Sequence, residues 1–327
     1  MRYFVAHIYK LAVILENPKR IQEKIQKMKI DKNDFNIFLD SITKCYNLDI
    51  YDKLPKSEKF PDTIFDDSNK LNITELLKYA ENQDSYFLSV SKRIAGILNI
   101  LIARETKCEL NIKETWKLIS ESILILPVNA TISSIGSQGF LSIPLYKNEL
   151  KLENFDFLRL HIWDNSLLKY MNIETCDKFS IHTHSFFAKS WIIFGEIIND
   201  CFKVKQSKDI TEYSLFTVGY NKSLNEVNQH TSSANNNHIN ISIKQTSHEI
   251  HLQESTYEVK AGDYHKSTSN SKNGLSATFF SFTGKDGLVE KSYVVGPSNL
   301  ENSVINRKMQ IDPTELLNQI NLEVSQL

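Results

Sequence analysis

No two of the four cysteines stand close together: Cys45, Cys108, Cys176 and Cys201 form no CxxC pair. That spacing builds neither a zinc knuckle nor a disulfide framework, and the expectation is free thiols in a reducing cytosol. Net charge is almost absent too. The 38 Lys and Arg against 39 Asp and Glu leave −1, which gives no electrostatic reason for nucleic acid or an anionic membrane as partner. Long apolar runs are missing. Ile94 to Ala103 contains Asn99 and is about half of a membrane span. Near the start, an apolar stretch is broken by His7 and Lys10, and no small-residue cleavage site follows Val13-Ile14-Leu15. No signal peptide is read, and the expected location is cytoplasmic. A G-x-S-x-G elbow, a P-loop and a G-x-G-x-x-G turn are also lacking, which removes the commonest hydrolase, phosphate and dinucleotide signatures.

What is present describes a soluble globular protein of one large domain or two ordinary ones: 327 residues, 41% hydrophobic and 24% charged. Residues 1–117 read as helical. Asn17-Pro18 opens a stripe of Ile21, Ile25 and Met28. Asn33 or Asp34 caps the next helix, with Phe35, Phe38, Leu39 and Ile42 on one face. A polar connection from Lys53 to Lys70 leads to a helix near Thr74 and a stronger one carrying Phe87, Ile94, Leu98, Leu101 and Ile102. The pair loosely resembles a helix-turn-helix, but its turn, Glu81-Asn82-Gln83-Asp84, lacks glycine and is acidic, which opposes phosphate contact.

From 118 to 305 the pattern becomes short apolar runs bounded by Gly, Pro, Asn and Ser. Strands are expected at 123–128, 139–145, 157–163, 191–194, 213–218, 239–243, 277–282 and 293–295. The Asn- and Ser-rich stretch Asn221 to Asn237 reads as a long mobile loop. Residues 306–327 close with a helix opened by Asp312-Pro313-Thr314-Glu315, its stripe formed by Leu316, Ile320, Val324 and Leu327. The fold class expected is therefore α+β: an N-terminal helical region, an all-β sandwich or barrel, and a short C-terminal helix.

Chemistry concentrates at His182-Thr183-His184. Phe179 to Phe186 reads as a strand, and residues two apart on a strand share a face. A third histidine on a neighbouring strand would complete a metal-binding face, and His265 follows Gly262-Asp263-Tyr264. On 157–163, Arg159 and His161 also share a face. Either they look into a site, where Arg offers a fork to an anionic substrate, or Leu158, Leu160 and Ile162 face the core and Arg159 faces solvent.

The two histidine segments resemble the two motifs of the cupin superfamily. The first reads His-x-His, three or four residues, Glu, six residues, Gly; here His182, His184 and Gly195 match and Ala188 takes the place of the glutamate. The second reads Pro-x-Gly-x-x-His followed by Asn; here Gly262 and His265 match, Lys260 stands for the proline, and Asn270 comes one residue late. The resemblance covers roughly residues 120 to 300. It implies a cupin barrel, or double-stranded β-helix, holding one divalent metal on His182, His184 and His265. Three neutral imidazoles leave the ion's charge uncompensated, which favours an anionic or chelating small molecule as substrate. The set looks like the three-histidine iron(II) site of cysteine dioxygenase and related cupin oxygenases, which implies iron(II), dioxygen and an oxidoreductase. Zinc, manganese or nickel with an isomerase, hydrolase or ligand-sensing role is the alternative, since imidazole alone does not choose the metal. Glu196, next to Gly195, is considered as a replacement carboxylate. The helical region is expected to cover the barrel mouth or build a homodimer.

Overall fold

The computed structural model describes residues 30–136, 138–149, 152–220, 231–272, 274–306 and 308–326. They mix helices with antiparallel sheet, helices first and a short helix last. The chain divides into two compact units, the break falling between Thr131 and Ile132, with Ser325–Leu327 grouped with the first.

The first unit holds α1 (Lys32–Thr43), α2 (Ile73–Ala80), α3 (Ser85–Thr106) and α4 (Ile112–Leu124). The starts of α2, α3 and α4 follow capping chemistry. Asn72 accepts from the amides of Thr74 and Glu75, Asp84 from Phe87 and Asn111 from Glu114, each relieving an orphan amide of a first turn. Phe35, Phe38, Leu39 and Ile42 of α1 are all buried, as their spacing predicts, although Asp31, and not Asn33 or Asp34, is the cap residue. The Asn17-Pro18 helix lies outside the described residues. The polar connection 53–70 is not a plain loop: it folds into short 3-10 turns that bury Leu54, Phe60 and Ile64. By length and composition α3 could cross a membrane, but 78% of its most apolar window is buried inside the protein, which is the packing of a core helix. The run 123–128, expected as a strand, is instead the end of α4 and the start of a 3-10 turn at Val128–Ala130. Ile119 and Ile123 are buried one turn apart on the same helix face, so the apolar run continues a helical stripe.

The second unit carries the strands β1 (Ser134–Ile135), β2 (Leu141–Asn148), β3 (Asp156–Trp163), β4 (Phe186–Phe194), β5 (Glu196–Gln206), β6 (Tyr213–Tyr220), β7 (Thr231–Leu252), β8 (Thr256–Val259), β9 (Tyr264–Ser269), β10 (Ser276–Leu288), β11 (Tyr293–Pro297), β12 (Asn302–Asn306) and β13 (Lys308–Met309). A seven-stranded sheet runs β13-β1-β2-β3-β10-β4-β8, and a second runs β11-β6-β7-β5-β9 with β12 beside β7. All their pairings are antiparallel. Between β3 and β4 comes α5 (Ile173–Lys178), and α6 (Thr314–Ser325) ends the described chain with Leu316, Ile320 and Val324 buried. Leu327 lies outside the described residues.

Two expectations in this unit are corrected. Of the supposed loop 221–237, residues 231–237 are the first part of β7, paired with β6 and β12. Asn236 explains it. Its amide donates to the carbonyls of Ser298 and Leu300 while its Oδ1 accepts from Ser214, so an asparagine that would solvate a loop pins a strand. Residues 221–230 lie outside the described ones. The second correction concerns 179–186. Phe179 caps α5, and the histidines precede β4 on an extended segment that pairs through an isolated bridge, His182 facing both His265 and Val294. This segment thereby joins both ends of the second sheet, β9 and β11. Side-chain alternation needs only extended backbone, so the predicted face survives the loss of the strand.

Candidate metal centre

The site begins with backbone pairing. His182 and His265 exchange both N–H···O bonds, at 3.0 and 2.9 Å. Such a directly opposed pair puts both side chains on one face, and the two rings lie 4.6 Å apart, centre to centre. His184, two residues on, returns to that face with its ring 4.8 Å from His182 and 4.9 Å from His265. Thr183 points the other way and holds the segment in register: its N–H donates to the Tyr293 carbonyl and its Oγ1 accepts from the Tyr293 amide, both at 2.8 Å. Gly262 donates to the His184 carbonyl at 2.9 Å with φ +83°, a turn that favours glycine and locks the second motif onto the first. The partners are thus direct neighbours, His182 on an extended segment and His265 on β9.

The ligand atoms of His182, His184 and His265 lie within 4.8 Å of one another. Two of the rings are fixed by their outer nitrogens. His182 Nδ1 donates to the Ser180 carbonyl at 2.9 Å, and His265 Nδ1 to Asn199 Oδ1 at 2.8 Å. Each donation leaves the Nε2 lone pair turned inward, which is how outer hydrogen bonds prepare a histidine for metal. Nε2 of His265 and of His184 are 2.9 Å apart. Nitrogens about 2.1 Å from one ion stand about 3 Å apart at a right angle, which is the spacing of the His184 and His265 nitrogens. Burial is the first cause that lowers the pKa of all three. Like-charged neighbours add to it: His182 for His184, and both others for His265. The cluster is therefore three neutral imidazoles near pH 7, the protonation state a divalent ion requires. The donor set fits such an ion.

Ala188 stands in the core with Trp163, Ile192 and Tyr257, so no carboxylate arrives from its position. Glu196 does not substitute. Its carboxylate accepts from Asn270 on the far side of the Gly195 turn. That turn has φ +80°, and a β-carbon on Gly195 would come within 2.5 Å of the hydroxyls of Ser271 and Ser276.

Beside the histidines lies a cavity of about 190 Å³ between the two sheets. Arg159 and His161 both line it, which overturns the reading of Arg159 as solvent-facing. Leu158, Leu160 and Ile162 are buried on the opposite face, because the strand is covered on both sides. The Arg159 guanidinium lies 4.6 Å over the Phe157 ring. His161 is buried and stacked on Phe140 at 4.0 Å and Phe280 at 5.1 Å. Burial first, then Arg159 and His184, hold it well below the usual histidine range. Tyr264 does not line the cavity, and burial followed by Tyr293 pushes it up to about 12. The other described histidines stay apart: His248 contacts Asp200, His251 contacts Glu249, and His238 contacts Glu301.

Asn199 and Ser267 are the residues that sequence reasoning missed. Ser267 donates to Asn199 Oδ1 at 3.2 Å, and Asn199 is fully buried. Ser267 sits two residues beyond His265 on one strand face, a spacing readable in advance. Asn199 carries no such signal, because only the pairing of β5 with β9 brings it there.

No family model and no curated protein sequence matches the chain. Among solved structures, it is similar to FeII HppE at 11% identity, covering 64% of this chain and 97% of that one, with a TM-score of 0.25. It is also similar to hydroxypropylphosphonic acid epoxidase from S. wedmorenis, at 10% identity over 64% of this chain and 96% of that one, with a TM-score of 0.26. Likeness at this level carries no functional weight; the side chains of the site do.

Proposed function

We propose that the chain is a metal-dependent oxidoreductase: a mononuclear iron(II) oxygenase on a cupin barrel, with His182, His184 and His265 as metal ligands. The observation that carries this reading is the convergence of three neutral imidazoles from two distant segments on the wall of one cavity. Bound there, iron(II) supplies the one-electron chemistry that dioxygen needs to react with a closed-shell organic molecule. The chain's residues do the rest. Ser180 and Asn199 keep the imidazole lone pairs inward. Phe140, Phe280 and Phe282 line the cavity and limit water. Arg159 offers a fixed cation to a small anionic or chelating substrate. A cytoplasmic location accords with four free cysteines.

An all-nitrogen donor set also suits zinc with a bound water, so a zinc hydrolase, an isomerase or a ligand-sensing module on the same scaffold is the second reading. One experiment separates them. Metal-free protein is loaded anaerobically with iron(II) or zinc, and oxygen uptake is followed with a panel of small carboxylic and hydroxy acids. Uptake that requires iron and is lost in His184→Ala supports the oxygenase. Stable zinc loading, no retained iron and no uptake with any acid support the alternative.

A further inference from the structure

The cavity wall has a one-sided charge. Among the described residues that line it, Arg159 is the only permanent cation, and no aspartate or glutamate is present. Beside Arg159 the polar side chains follow the strand pairing. Ser142 on β2 lies opposite His161 on β3, and Arg159 and Trp163 flank His161 two residues either way, so all four share the cavity-facing side. Ser142 Oγ and Trp163 Nε1 are buried without a hydrogen-bond partner. A buried donor left unsatisfied is costly, and such orphans in a cavity wall mark where a ligand's acceptors belong. Trp N–H and Arg can only donate. The apolar part of the wall is mainly aromatic, Phe140, Phe280 and Phe282 with Tyr257, joined by Val218 and Val294. In size, a cavity of about 150 Å³ accepts benzene, so about 190 Å³ takes little more than one ring with a carboxylate.

We propose that the ligand of this cavity is a small carboxylate monoanion with an apolar body and no ammonium group, its carboxylate received by the Arg159, Ser142 and Trp163 strip. The inference rests on the metal-site reading for its reaction, but not for its binding chemistry. A zwitterionic amino acid would bring an ammonium into a cavity whose described lining offers no carboxylate to pair with it, next to Arg159 and a divalent ion. Desolvation and like-charge repulsion both act against it. A simple acid meets only the favourable half of that field, and its apolar body meets the aromatic wall.

The test compares acids that differ only by the amine. Phenylacetate against phenylglycine, and butyrate against 2-aminobutyrate, are titrated by calorimetry into the full chain, metal-free and zinc-loaded, with metal content measured on the same samples. The expected result is binding of each simple acid at least tenfold tighter than its amino counterpart. Arg159→Gln should weaken the acids at least tenfold without changing metal content. Ser142→Ala, a smaller change that keeps the fold should Arg159→Gln fail to fold, should weaken them severalfold. An amino acid that binds as tightly as its simple acid, by giving up its ammonium proton, overturns the proposal. So does the absence of binding by either acid at 10 mM, or an unchanged affinity in Ser142→Ala together with Arg159→Gln. Loss of metal binding by the wild-type chain would sink the proposed function alone, because the acid comparison is also made without metal.

Discussion

Two arginines among the described residues lie over aromatic rings, and their surroundings differ. Arg93, in the helical unit, has its guanidinium 4.0 Å over the Tyr46 ring and is 1% exposed. Its Nε donates to Ser122 Oγ at 3.2 Å, and Tyr46 donates to Ser89 Oγ, which in turn donates to the Ser122 carbonyl. Burial raises the Tyr46 pKa above its ordinary value, against the pull of Arg93, so the phenol stays neutral and the site is packed shut. Arg159, in the sheet unit, makes the same kind of stack on Phe157 but stands on the wall of a cavity shared with three histidines. A similar local interaction therefore fills a closed core in one unit and borders a cavity in the other, and it is the second setting that supports the proposed ligand-binding role of Arg159.

Truncation should separate the two most strongly. Arg93→Ala opens a cavity in a filled core and is expected to cost about 3 kcal/mol in urea denaturation, with Arg93→Met, which keeps volume, costing under about 1.5 kcal/mol. Arg159→Met is expected to change stability by less than about 1 kcal/mol, because the space behind it is already open. Equal costs at both arginines would break the comparison. Next in size is metal affinity. His182→Ala and His265→Ala should each lower it by about a hundredfold or more, since even outer-sphere partners are worth 10- to 100-fold, while Arg93→Met leaves it unchanged. Competition against a chelator reads the difference.

Asn199→Ala sharpens the picture inside the sheet unit. It leaves all three ligands in place but frees His265 to take the wrong tautomer, and about a tenfold loss of metal affinity is expected. Asn199→Asp, which keeps an acceptor at that atom, should restore most of it. Unchanged affinity in Asn199→Ala would remove it from the site.

The smallest effect is in pH. His161, His182, His184 and His265 all have folded pKa values below the unfolded value of about 6.5. The folded chain keeps them neutral where the unfolded chain takes up protons. Stability of the metal-free protein should therefore be full above about pH 6.5 and be lost as pH falls from there toward the folded values. If the proposed metal binds, the same depression should let it stay bound at pH 6, where free imidazole is largely protonated. Denaturation of His161→Phe across pH 5 to 8 should show a shallower loss, and a slope identical to wild type would count against His161 as a contributor.

Much of the site was legible because it depends on local periodicity. His182 and His184 share a face on any extended segment, and the resemblance of the two segments to the cupin motifs pointed to His265 as the third member. The apolar stripes of α1, α3 and α6 were equally readable. What failed depends on distant partners. Residues 231–237 become strand through bonds from Asn236 to Ser298 and Leu300, more than 60 positions away. Asn199 reaches His265 only after β5 pairs with β9. Alternation on β3 marked the leucine face as core but could not show that the Arg159 face is enclosed as well. The run at 123–128 was ambiguous for a different reason, since a short apolar segment fits helix and strand alike.

The function proposed for the sheet unit depends on two distant segments holding one metal ion on three imidazoles. Metal titration of the metal-free chain, followed by X-ray absorption at the iron edge, tests it most directly. One iron per chain with three histidine nitrogens around it is expected. Failure to bind, or a site whose ligands survive the loss of His265, would contradict it.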